Sequence, residues 1–234
     1  MPPAIQRALV SDQVFRVLCE EILSGRYEPG EKLPTQRTLA ADLGVNMASV
    51  REAVKRLEQL RLVEVRHGDA MRVRDWRAHG GLDVIAHVLF GAGGLDRGTL
   101  ASLLEARRLM LAESARLAAE RRDDAQAARL EELAVRIAEA PDPAAAQALD
   151  FAFMTELVEA AGNVVFRLIL NSIRQLYFER AELFAEVVED LEELAPLYRR
   201  AAAAVRVQAP GRAAGAVARL TEAQERALLG RLGG

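Results

Sequence analysis

A chain of 234 residues, 51% hydrophobic and 28% charged, has room for two modest domains or one large one and can bury a substantial core. Its single cysteine excludes a disulfide framework and a thiolate metal cluster. No signal peptide and no membrane-spanning apolar run is visible, and the net charge of -3 is mild, so a cytoplasmic protein is expected.

Residues 1–9 read as a loose end. SDQVFRVLCEEILSG, from about Ser11 to Gly25, has the spacing of an amphipathic helix with Val14, Val17, Leu18, Ile22 and Leu23 on one side. Cys19 reads as a buried helix cysteine. After the Tyr27–Gly30 turn, Thr35 can cap a short helix, TQRTLAADL, with Leu39, Ala40 and Leu43 on one face. Gly44 suits the positive φ that often follows a helix, and Asn46 can cap the next one. In MASVREAVKRLEQL the apolar positions Val50, Ala53, Val54, Leu57 and Leu60 recur at helical spacing, which leaves Met47, Ser49, Arg51 and Lys55 on other faces. That polar, basic start suits a helix whose N-terminus enters the DNA major groove. Two β-type runs, LVEV and MRV, then flank Arg66–Ala70, where Gly68 permits a tight connection. Such a hairpin beside a reading helix is a wing.

This stretch resembles the winged helix-turn-helix domain of the GntR family of bacterial transcription regulators. The carriers are PG (Pro29, Gly30), LP-x-x-R (Leu33, Pro34, Arg37), LA-x-x-LGV (Leu39 to Val45), VREA-x-x-L (Val50 to Leu57), LV (Leu62, Val63) and the HG of the wing. The resemblance implies DNA contacts at Arg37, Asn46, Met47, Ala48, Ser49, Arg51, His67 and Gly68. Arginine forks onto guanine O6 and N7 or onto phosphate. Asn46 and Ser49 suit phosphate, through side chain or helix amides. His67 and Gly68 suit a tip entering the minor groove. The fatty-acid-responsive branch has arginine where this chain has Met47. Methionine can touch a thymine methyl but cannot hydrogen-bond to guanine, so a different operator is expected.

WRAHG, from Trp76, reads as a linker with a flexible point at His79 to Gly81, and LDVIAHVLF as the start of a second domain. Residues 1–76 are thus the DNA-binding domain, 77–82 the linker and 83–234 a helical domain for ligand binding and dimerisation. Residues 1–76 hold 12 basic and 11 acidic side chains against 19 and 23 in the remainder, a charge asymmetry that supports this division only weakly. Beyond Leu95 the pattern is helical throughout. Spans near 97–120, 123–139, 143–161, 164–188, 190–207 and 210–231 are separated by Arg122-Asp123, Pro141 to Pro143, Gly162-Asn163 and Pro210-Gly211. The fold class is mostly α with a small β-wing: a winged helix-turn-helix followed by an all-α antiparallel bundle.

The second half is similar to the FadR subfamily of GntR proteins, through LLEAR (Leu103 to Arg107), LDFAF, and AAGNVVFRLILNSIRQLY up to Tyr177. Two effectors follow from that likeness. Many members bind a divalent metal and a small organic acid through one Asp and three His. This chain keeps Asp150 but has Met154 where the first histidine belongs, and its three histidines, His67, His79 and His87, all precede the later helices. No metal and no resident cofactor are therefore expected. The other effector is a fatty acyl-CoA, whose tail needs an apolar tunnel and whose phosphates need cations. Arg107, Met154, Tyr177 and Phe184 would form that site. On the last helix Thr221, Gln224 and Leu228 depart from the glycine, serine and tryptophan of the fatty-acid branch, which points to a different acyl length or ligand. No nucleophile–base–orienter set is visible, and pairs such as Asp150 with Glu156 do not make one, so the chain is expected not to be an enzyme. The overall expectation is a homodimer on a palindromic operator, with DNA affinity controlled by an acyl-CoA. A small organic acid without metal, or an inert dimerisation domain, are the alternatives.

Overall fold

A computed structural model describes residues 6–66, 70–91, 93–188 and 190–232. The chain divides into two compact units, Met1–Thr99 and Leu100–Gly234, each with its own apolar core.

In the first unit α1 (Gln6–Leu23) packs on α3 (Met47–Gln59), and α2 (Gln36–Asp42) packs on α3 from another side. Helix α1 begins earlier than the expected Ser11, and its buried face differs from expectation. Val14, Phe15, Leu18, Cys19 and Ile22 are buried, whereas Val17 is exposed. Both choices fit helical spacing, and the larger Phe15 wins the core position. The strands β1 (Val63–Val65) and β2 (Met71–Val73) pair antiparallel with Val63 opposite Val73 and Val65 opposite Met71. The PGEKL segment adds to the other edge of β2: Gly30 N–H donates to the Val73 carbonyl (2.8 Å) and Leu33 N–H to the Met71 carbonyl (2.9 Å). Gly30 has φ +87, a conformation that explains why glycine stands after Pro29.

The expected linker lies inside this unit. Asp75 caps a one-turn helix, α4 (Trp76–His79), by accepting from Arg77 N–H at 2.9 Å. Gly80 stands where a side chain does not fit, because a Cβ would lie 2.6 Å from the Trp76 carbonyl oxygen. The next helix, α5 (Ile85–Leu89), stays with the first unit: Val84 joins its core, and the His87 ring meets Phe15 edge-on at 5.2 Å. A two-residue pair, β3 (Phe90–Gly91) with β4 (Gly94–Leu95), follows. The division between units thus falls at Thr99/Leu100, beyond the stretch 77–82.

The second unit is built from α6 (Arg97–Arg121), α7 (Asp124–Ala138), α8 (Pro143–Ala161), α9 (Val164–Glu179), α10 (Ala181–Ala185), α11 (Leu191–Arg206) and α12 (Pro210–Arg231). Its helix ends carry the expected chemistry. Asp123 and Gln126 form a capping box, Asp142 caps α8 ahead of Pro143, and Gly162 (φ +64) closes α8 before Asn163 caps α9. The span expected as one helix over 164–188 is broken after Glu179. The short elements beyond the break hold Phe184, Val187 and Val188 in buried positions. Helix α11 packs against both α7 and α12, and its Ala201 and Ala202 are buried, so short side chains let the backbones approach. Among the described residues no helix is long and apolar enough to cross a membrane.

Candidate functional site

The reading face is created by the helix that carries it. Val50, Ala53, Val54 and Leu57 turn inward and are buried, each fully buried Leu or Val side chain contributing about 1.5–3 kcal/mol. This fixes the opposite face outward. Arg37, Asn46, Ala48 and Arg51 are exposed, and Met47 is 40% exposed. Asn46 is extended (φ -80, ψ 154) and its Oδ1 accepts from Ser49 N–H at 2.9 Å, so the start of α3 is held while its first amides stay open to an anion. The first turn of α3 contains no acidic residue. Neither Arg37 nor Arg51 has an ion-pair partner among the described residues, so both guanidinium groups are available to phosphate or base. Ser49 departs from expectation. It is only 5% exposed and its hydroxyl donates to Asn46 Oδ1 (3.2 Å), so its side chain completes the cap instead of presenting to DNA. His67 and Gly68 lie outside the described residues.

In the second unit the four expected ligand residues come together. Arg107 from α6, Met154 from α8, Tyr177 from α9 and Phe184 from α10 all line one cavity of about 50 Å³. Tyr177 stacks on Phe184 at 5.3 Å, and the Phe151 ring lies 5.4 Å from that of Tyr177. The wall is otherwise mostly aliphatic, and its polar centre is Asp150.

Asp150 is 1% exposed, and burial of a bare carboxylate is prohibitively costly without partners. It has four. Tyr198 donates its hydroxyl to Oδ1 at 2.6 Å, and Gln224 donates Nε2–H to the same oxygen at 2.9 Å. Tyr177 donates to Oδ2 at 3.0 Å, and Arg107 Nη2 stands 3.6 Å from Oδ2 as the countercharge. Gln224 also donates to the Tyr198 oxygen at 2.8 Å. Burial, and then the negative charge of Asp150, push both phenols well above their ordinary value of 10.0, so both remain donors. The residues around the carboxylate are thus two phenols, an amide and a guanidinium. Among the described residues no three His, Cys, Asp or Glu side chains gather as a metal site.

Tyr198 and the hub role of Asp150 are not apparent from periodicity alone. One signal was present: Asp150 is the sole charged residue between Pro143 and Thr155, in an otherwise apolar helix. A lone carboxylate on such a face must find partners inside the bundle.

A winged helix-turn-helix reader and a helical unit with an internal cavity define a DNA-binding regulator of the two-unit, effector-sensing kind. Comparison with known proteins bears this out. Residues 10–73 match the bacterial regulatory proteins of the gntR family, and residues 102–223 match the FCD domain. The HTH-type transcriptional regulator Mce2R of Mycobacterium tuberculosis is 40% identical over 173 residues, 74% of this chain and 72% of that protein. A fatty acid metabolism regulator protein of Yersinia pestis is 26% identical over 161 residues, 68% of this chain and 66% of that protein. Among solved structures, a GntR protein of Streptococcus agalactiae superposes with a TM-score of 0.50 at 26% identity, covering 92% of this chain and 99% of its own. The chain belongs to the GntR family and carries an FCD effector-binding domain. Its relatives are transcription regulators, not enzymes.

Proposed function

We propose that this regulator binds a palindromic operator as a homodimer and that a fatty acyl-CoA entering the cavity of the second unit controls its DNA affinity. The observation that carries the reading is the convergence of Arg107, Met154, Tyr177 and Phe184 on one predominantly apolar cavity. An apolar wall with one arginine, its charge balanced by Asp150, suits an acyl tail that ends in a polar group. The likeness to a fatty acid metabolism regulator, though distant, points the same way.

The cavity's size gives the reading a mechanism. Drug-sized ligand sites span roughly 300–1,000 Å³, whereas this one offers about 50 Å³. A long acyl chain must therefore part the Phe151–Tyr177–Phe184 wall. A ligand that binds only the parted state shifts the bundle toward it, and this differential affinity is what a switch requires. Ligand and operator are then linked reciprocally: if one weakens the other's binding, the reverse holds by the same factor. In the reader, Arg37, Arg51 and the amino end of α3 would face DNA, with Met47 near a thymine methyl. The test is calorimetric titration of the protein, free and operator-bound, with a long-chain acyl-CoA below its micelle concentration. Equal affinity in the two states would remove the switch. Absence of a saturable site would remove the acyl-CoA.

A further inference from the structure

We propose that Asp150 sets the charge selectivity of this cavity: the effector end buried there is an uncharged acyl carbonyl, as in a thioester, ester or amide, and not a free carboxylate. The inference rests on the reading that the cavity is the effector site, and it deepens that reading to a class of buried group.

Charge decides which group the cavity accepts. Of the residues lining the cavity only Arg107 and Asp150 are ionisable to a full charge at neutral pH, and they stand 3.6 Å apart. Their sum is zero. Asp150 cannot be exchanged for a ligand carboxylate, because Tyr198, Gln224 and Tyr177 also hold it and it is 1% exposed. The two phenols are donors and bring no compensating charge. The rest of the wall, Leu103, Leu111, Met154, Ile173 and Phe184 among it, is apolar. A carboxylate placed here would be a second negative charge beside Asp150 with no second cation.

Arg107 nevertheless has something to offer. Its distance to Asp150 exceeds a hydrogen bond, and its guanidinium makes none among the described residues, so its N–H groups remain for a neutral acceptor. A carbonyl oxygen takes such a bond without changing the charge of the cavity. Asp150 thus acts as a specificity residue: it cancels the arginine charge that would otherwise draw organic acids, while leaving the arginine's donors in place.

The test uses two probes of one chain length, octanamide and octanoate, titrated into the full-length protein at neutral pH by calorimetry over the micromolar to millimolar range. The wild type is expected to prefer the amide by at least about 30-fold, the scale of an uncompensated buried charge. In Asp150→Asn, which keeps the side-chain shape and leaves Arg107 uncancelled, octanoate is expected to gain and the preference to vanish or reverse. Equal affinities in the wild type would overturn the inference while leaving the cavity as the effector site. So would a folded Asp150→Asn protein with an unchanged ratio. If that variant does not fold, the wild-type ratio alone decides. Binding of neither probe would also overturn the inference, because a cavity selective for a neutral acyl carbonyl must accept the amide; the effector site itself is decided separately, by the long-chain acyl-CoA titration.

Discussion

Replacing Tyr198 by phenylalanine tests whether the Asp150 cluster holds the second unit together. The ring is fully buried and meets Phe153 edge-on at 5.2 Å, contacts that phenylalanine keeps. What goes is one hydroxyl, which donates to Asp150 at 2.6 Å and accepts from Gln224 at 2.8 Å. A hydrogen bond to a buried charged group contributes about 1.5–3 kcal/mol. Asp150 is not orphaned, since Gln224 still reaches the same oxygen at 2.9 Å. We therefore expect a loss of about 2 kcal/mol, at the middle of that range. Tyr177→Phe, whose bond is longer at 3.0 Å and only part-buried, should cost less. The assay is urea unfolding followed by far-UV circular dichroism at fixed protein concentration. Emission from Trp76, the one tryptophan and part of the first unit, serves as internal reference. A fall in midpoint with unchanged slope is the expected result. A loss below about 0.5 kcal/mol, or a larger effect for Tyr177→Phe, would refute the view that the short Tyr198 bond to Asp150 contributes more than the Tyr177 bond.

Other consequences are open to measurement. Arg37→Ala and Arg51→Ala should each weaken operator binding by about 1–3 kcal/mol and leave the unfolding midpoint in place; fluorescence anisotropy with operator DNA checks this, and unchanged binding in both would rule out the docking of α3. His87 has its pKa lowered from 6.5, first by burial and then by the charge of Arg56. The unfolded chain therefore takes up a proton more readily than the folded one. Stability from this residue is present above pH 6.5 and is lost as pH falls through the lower folded value, so the Trp76 transition should weaken toward pH 5 and His87→Gln should flatten that dependence. Burial pushes the Cys19 thiol up to about 12, so iodoacetamide should label it only after unfolding; rapid labelling of the native protein at pH 8 would contradict its place in the core.

The reader was legible because its signals are local. Thr35 and Asn46 accept the expected N-cap bonds, Gly44 takes φ +64, and the apolar spacing of α3 identifies its buried face. Where two faces of one helix both fitted, as with Val17 and Phe15 of α1, periodicity could not choose and side-chain volume did. The extent of the first unit was hidden for a related reason. The Gly80-Gly81 pair has the composition of a linker, yet Gly80 is required by close approach to Trp76, and α5 packs back on α1 through His87. The break after Glu179 carries no glycine or proline to mark it. The cavity was legible one residue at a time through family resemblance, but its polar centre was not. Asp150 meets Tyr198 and Gln224 across 48 and 74 residues of chain, separations that no local pattern encodes.

In the function proposed, the second unit's cavity receives an acyl effector through Arg107 and its apolar wall. The most direct measurement is calorimetric titration of wild type and Arg107→Ala with one long-chain acyl-CoA below its micelle concentration. A saturable site of micromolar affinity or tighter, lost or much weakened in Arg107→Ala while both proteins remain folded, is the predicted result. A folded wild type that takes up no acyl-CoA, or an Arg107→Ala protein that binds it equally well, would contradict the account.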